Sequence, residues 1–195
     1  MPIRNPADRW GVVSIGLHWL TFVLILGLAP VGYLMQDLPN SPFKVKVFML
    51  HKSFGLTVLA LTGLRLLWRL YAGAPEPVPN TPRWQDAIAK VTHGLMYALL
   101  LLIPLSGWWF NSAAGFPLKW FGLFSVPKLG AYDPAVKELA AQRHGDLFLI
   151  LAAMLVLHAG AALWHHYRHH DRTLKRMLPT MPDPMPSPTP TSTEP

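Results

Sequence analysis

Between Arg9 and Asp37 no Asp, Glu, Lys or Arg interrupts the chain. The apolar stretch inside that interval, from about Ile15 to Leu34, is long enough to cross the ~30 Å hydrocarbon core of a bilayer as a helix. Such a segment decides the solvent in which the chain folds. It is too long for the apolar region of a signal peptide, no small-x-small cleavage pattern leads into a polar mature chain, and His18 and Trp19 lie near its start. It reads as a retained span.

Three further spans follow. The second runs from about Val45 to Leu70, with Lys46, Lys52, Arg65 and Arg69 near its ends, where long basic side chains can snorkel to the interface. The third lies in a stretch without charge from Val91 to Leu118. Its helix is expected to start near Trp84 to Asp86 and to end near Trp109, kinked but not stopped at Pro104. The fourth covers about Ala141 to Tyr167 and gives way to the basic residues Arg168, Arg172, Lys175 and Arg176. The expected fold is therefore an all-α membrane protein, a four-transmembrane-helix bundle.

Composition agrees. Only 14% of the 195 residues are charged, against about 25% in soluble domains, and the mean hydropathy is +0.27. An ordinary soluble or a disordered protein is excluded, while eight Trp suit a chain anchored at lipid interfaces.

Residues 1–178 form one membrane domain, and 179–195, rich in proline and poor in apolar residues, form a tail expected to be disordered. A short proline-rich connector joins spans two and three. The longer loop from about Asn111 to Glu138 contains FPLKWFGLF, which could lie along the membrane interface or be a plain structured loop.

Four spans put both termini on one side. That side collects Arg4, Arg9, Arg65, Arg69, Arg83, Lys90, Arg168, Arg172, Lys175 and Arg176, more than the Lys44, Lys46, Lys52, Lys119, Lys128, Lys137 and Arg143 of the other. The excess makes the termini cytoplasmic. The net charge of +7 is explained by this rule, and no motif or soluble domain supports nucleic-acid binding.

With no Cys there is no thiolate metal site, iron–sulfur cluster or thioether-linked haem, so nine His are the main metal-capable side chains. Depth sorts them into two layers. His51 and His144 belong to the outer half, and His18, His93 and His158 to the inner half. His144 and His158, 14 residues apart on one helix, lie on nearly the same face and about 21 Å apart. One helix can thus serve two stacked cofactors, and four His on two levels in a chain without Cys point to bis-imidazole b-type haem. If two imidazoles hold an outer haem, His51 is the only mate for His144. In the inner layer His158 can pair with His18 or His93, and spacing does not choose.

Gly55, Gly145 and Gly160 could admit a macrocycle or ease helix packing. Arg65, 14 residues after His51, could pair with an inner-haem propionate or snorkel. His165, seven residues after His158, returns to the same face about 10 Å nearer the cytoplasm, where a quinone could accept a hydrogen bond. His169 and His170 read as a solvated cluster.

Several stretches together resemble the bacterial cytochrome b561 family, in particular its four-helix di-haem type, which includes superoxide oxidase. They are GLHWLTFVLI around His18, FMLHKSFG around His51 followed by RLLWRL, THGLMYALLLLIPLSG around His93, RHGDL at His144, and LHAGAALWHHY around His158. The resemblance runs from about Arg9 to Leu178. It implies a bundle enclosing two haem b groups, the inner one held by His18 with His158 and the outer by His51 with His144, which leaves His93 and His165 to the quinone neighbourhood. It implies electron transfer across a bacterial inner membrane, from superoxide at the outer face to ubiquinone.

Lys52, Lys44 and Lys119, with Lys46 and Lys128, are the residues that could steer the superoxide anion. Two alternatives stand beside this reading: an electron-transfer and anchor subunit for a soluble partner dehydrogenase or hydrogenase, and a non-redox transporter using its His.

Overall fold

The computed structural model describes residues 2–78 and 81–179; the expected tail beyond Pro179 lies outside the described residues. Four helices dominate: α1 (Val12–Leu34), α2 (Pro42–Ala72), α3 (Arg83–Ala113) and α4 (Pro134–Arg168). All four are long and apolar enough to cross a membrane.

Local chemistry sets their ends. Ser41 caps α2 by accepting the N–H of Lys44 at 3.2 Å, with Pro42 in the first turn. Gly73, at φ 75°, ends α2 in a conformation that a side chain would resist. Asp133 caps α4 by accepting the N–H groups of Ala135 and Val136 at 2.9 and 3.1 Å, ahead of Pro134.

α4 therefore begins well before Ala141, and α3 runs past Trp109 to Ala113. Hydropathy saw only the lipid-immersed part of each helix. The 35 residues of α4 reach about 50 Å at 1.5 Å each, so its first turns stand clear of the bilayer core. Pro104 interrupts no helix, as expected, and Pro30 sits within α1 in the same way.

α1 packs on α2, α2 on α3, and α3 on α4, whereas the backbone of α4 stands off from α1 and α2. The buried core is one cluster of Ile25, Val58, Leu99, Leu100 and Leu151, drawn from all four helices. Ile25 lies two turns after His18, Val58 two turns after His51, and Leu151 midway between His144 and His158. The apolar layer thus separates the two histidine levels. Outward-facing Leu20, Val23, Leu26, Leu67, Val156 and Leu157 form an exposed belt, costly in water and without penalty in lipid.

The loop from α3 to α4, which includes FPLKWFGLF, carries a hairpin. Strands β1 (Lys119–Trp120) and β2 (Phe124–Ser125) pair antiparallel. The turn uses Phe121 at φ 46° and Gly122 at φ 78°; for Phe121 this left-handed geometry costs about 1 kcal/mol. α2 holds it in place. Ser53 Oγ accepts the Phe121 N–H at 2.9 Å, and the Trp120 indole donates to Thr57 Oγ1 at 3.1 Å.

At the other end the segments before α1 and after α4 are tied to the rest of the bundle. Asn5 donates to the Gly73 carbonyl at 2.7 Å and accepts from Gly11 and Ser14. The segment after α4 folds back, with Trp19 donating to the Met177 carbonyl and Arg176 to the Glu76 carbonyl, both at 2.7 Å.

Candidate functional site

At the hairpin end, α2 and α4 bring His51 and His144 together with ring centroids 6.4 Å apart. The Nδ1 of His144 lies 2.9 Å from the Ile103 carbonyl and 3.1 Å from Ser106 Oγ. A carbonyl can only accept, so Nδ1 carries the proton and Nε2 keeps its lone pair. That is the tautomer a metal-binding imidazole needs. His51 Nδ1 is buried without a partner.

Glycines on the neighbouring helices make room for both rings. A Cβ on Gly32 would lie 2.9 Å from His51 Cε1, and one on Gly107 would lie 3.0 Å from His144 Cε1. Gly55, Gly145 and Gly160 have no neighbour within 4 Å of such a Cβ, so close helix packing does not explain them. Gly32 and Gly107 were missed because each touches a ring on another helix, a contact that no spacing along one helix encodes.

At the termini end, His18, His93 and His158 converge. The His18–His158 centroids are 6.4 Å apart and the His93–His158 centroids 5.4 Å. Arg65 does not snorkel: its guanidinium donates to His18 Nδ1 at 2.9 Å and lies 5.2 Å from the Tyr97 ring centre. Guanidinium only donates, so His18 here accepts at Nδ1 and carries its proton on Nε2. Binding a metal through Nε2 would require Arg65 to yield Nδ1.

Two imidazoles on opposite sides of one metal, with metal–nitrogen bonds of about 2 Å, put their centroids roughly 6 Å apart. Both His51–His144 and His18–His158 meet that spacing, and His93–His158 is closer than such a sandwich. Each matching pair spans the gap that keeps α4 away from α1 and α2. Among the described residues no three His or carboxylates gather as a site for a bare ion. The donor set fits a group whose metal could take two imidazoles, with the rings as they stand at the hairpin end and after one side-chain movement at the termini end.

The remaining candidates divide. Lys52 donates to the buried Asn111 at 3.0 Å, and Lys44 to the carbonyls of Gln36 and Leu38 at 2.9 and 2.7 Å. Lys46 and Lys119 are exposed. His165, half-buried at the end of α4, meets the carboxylate of Asp171 through Nδ1. Asp171, Asn111 and Ser106 were not foreseen, since each acts by a fold-back or cross-helix contact.

Four membrane-length helices, the last lending an imidazole to each of two levels, are the build of a membrane-embedded b-type cytochrome. The chain belongs to the prokaryotic cytochrome b561 family, whose profile it matches over residues 9–180. It is 34% identical to cytochrome b561 homolog 2 of Escherichia coli (strain K12) over 168 residues, covering 86% of this chain and 89% of that protein. It is 29% identical to cytochrome b561 homolog 1 of the same organism, covering 82% and 91%. It is 30% identical to the probable superoxide oxidase CybB of Yersinia pestis, covering 82% and 89%. This is a multi-pass membrane protein of transmembrane electron transfer, in a family that implies b-type haem.

Proposed function

We propose that the chain oxidises superoxide at the hairpin end, facing outward, and reduces ubiquinone at the termini end, on the cytoplasmic side of a bacterial inner membrane. The observation that carries this reading is the pair of imidazole couples with the same 6.4 Å separation at opposite ends of one bundle. A relative named as a probable superoxide oxidase supports the choice of donor.

His51 with His144 would hold one haem b and His18 with His158 a second. Bound haem supplies a one-electron carrier at each level. Ile103 and Ser106 fix the His144 ring, and Gly32 and Gly107 leave both outer rings their space. Arg65, with five N–H donors, would hold a propionate of the inner haem.

The apolar layer around Leu151 keeps water out between the levels. Lys119 and Lys46 on the surface, with Lys44 and Lys52 held at fixed positions, would make the outer face attractive to a small anion. His93 and His165 would lie beside the quinone, where a hydrogen-bond donor and protons are needed.

The test is direct. Haem-loaded protein in liposomes, given a superoxide source and a short-chain ubiquinone, should form quinol. The rate should fall several-fold as ionic strength rises, because added salt shortens the screening length from ~10 Å at 0.1 M to ~3 Å at 1 M. Haem that stays oxidised under superoxide, yet is reduced by a co-purifying soluble dehydrogenase or hydrogenase, would overturn the reading in favour of a subunit role.

A further inference from the structure

The segment leaving α4 is built around one strained residue. His170 sits at φ 51°, a left-handed position more often taken by glycine or asparagine at a helix end and worth about 1 kcal/mol of strain for other residues. The reversal brings Asp171 back over the last turn of α4. There one carboxylate oxygen meets His165 Nδ1, the other accepts the Thr173 N–H at 2.8 Å, and the Asp171 N–H donates to the His165 carbonyl at 3.3 Å.

It is the one imidazole–carboxylate pair among the described residues. The neighbouring ring is His169, 5.2 Å away between centroids, and neither it nor His166 has such a partner. Burial pushes the Asp171 carboxyl upward, but hydrogen bonds from Thr173 and His165 outweigh it and hold it below the ordinary aspartate range.

We infer that Asp171 is a positioning residue for proton delivery: it keeps the Nδ1–H of His165, so that Nε2 is the atom through which this ring hydrogen-bonds to and protonates a quinone oxygen. The inference rests on the quinone reading above and adds the residue that orients the donor. Two superoxide anions each give up one electron and leave as dioxygen, and the quinone gains two electrons and two protons. For one of those protons, His165 starts with both nitrogens protonated and releases the proton on Nε2. It ends neutral with Nδ1–H still on Asp171, and water at the exposed end of α4 returns the proton. A carboxylate holding one imidazole nitrogen so that the other can transfer a proton is a general device of acid–base chemistry.

The experiment uses haem-loaded protein in liposomes, reduced chemically and mixed with a short-chain ubiquinone while haem absorbance reports reoxidation. Asp171→Asn should keep the wild-type haem content and spectrum. Reoxidation at saturating quinone should slow by roughly tenfold or more, with little change in the half-saturating concentration. Asp171→Glu should restore most of the rate. His165→Gln should be as slow, and the double variant no slower than either single one, since both act through the same ring.

The 15N signals of the His165 ring should show a protonated Nδ1 in the wild type and lose that preference in Asp171→Asn. A wild-type rate in Asp171→Asn, or losses that multiply in the double variant, would overturn the inference. Should Asp171→Asn fail to load haem, Thr173→Pro decides, because it removes the N–H that holds the carboxylate: a several-fold slower reoxidation is expected, and an unchanged one overturns the inference. Wild-type haem that quinone cannot reoxidise sinks the quinone reading itself, a failure visible before any variant is compared.

Discussion

The Ile103 carbonyl does more for His144 than hold it: by taking the Nδ1 proton it determines which nitrogen faces across the gap. Gly107 protects that arrangement, since a methyl group there would meet the ring at 3.0 and 3.1 Å. Gly107→Ala should therefore displace His144, and Gly32→Ala should crowd His51, each lowering the haem-to-protein ratio toward half while the termini-end level stays filled. Spectroscopic titration of bound haem checks this, and full retention in both variants would remove the glycines from the site. The histidines were legible in the sequence because His144 and His158 recur on one face at a spacing that a helix dictates. The glycines were not, because Gly32 lies on α1 and the ring it touches on α2. Asp171 escaped for a similar reason: the left-handed turn at His170 that returns it to His165 has no glycine to announce it.

One of the two bonds that seat the hairpin between α3 and α4 on α2 runs through the Ser53 hydroxyl. Ser53 is buried to 1% exposure, accepts the Phe121 N–H, and donates to the Met49 carbonyl. Removing it leaves the Phe121 N–H without its partner under a turn already strained at φ 46°. Ser53→Ala should loosen the hairpin by about 0.5–1.5 kcal/mol, the net contribution of an ordinary intramolecular hydrogen bond. Faster hydrogen exchange at Phe121 and Val126, with the helices unaffected, is the expected reading; unchanged protection would show that the Trp120–Thr57 bond suffices alone. The spans themselves were visible as charge-poor runs. Their ends were less so, since Asp133 and Pro134 start α4 above the apolar stretch that hydropathy measures.

Across the whole molecule, the two levels are joined by α4 and separated by the layer of Ile25, Val58, Leu99, Leu100 and Leu151. Because α4 packs on α3 but stands off α1 and α2, each level has its own slot, and emptying one need not collapse the other. His51→Ala and His144→Ala should each lose one haem and leave the second with its spectrum intact, and His18→Ala and His158→Ala should do the reverse. His93 gives the discriminating comparison, since its ring lies nearer His158, at 5.4 Å, than does that of His18, at 6.4 Å. If the more widely spaced pair is the one that would hold the haem, His93→Ala keeps both haems while His18→Ala loses the one at the termini end. The opposite result would assign the termini-end ligand to α3, and two haems retained in both His51→Ala and His144→Ala would dissolve the hairpin-end pair.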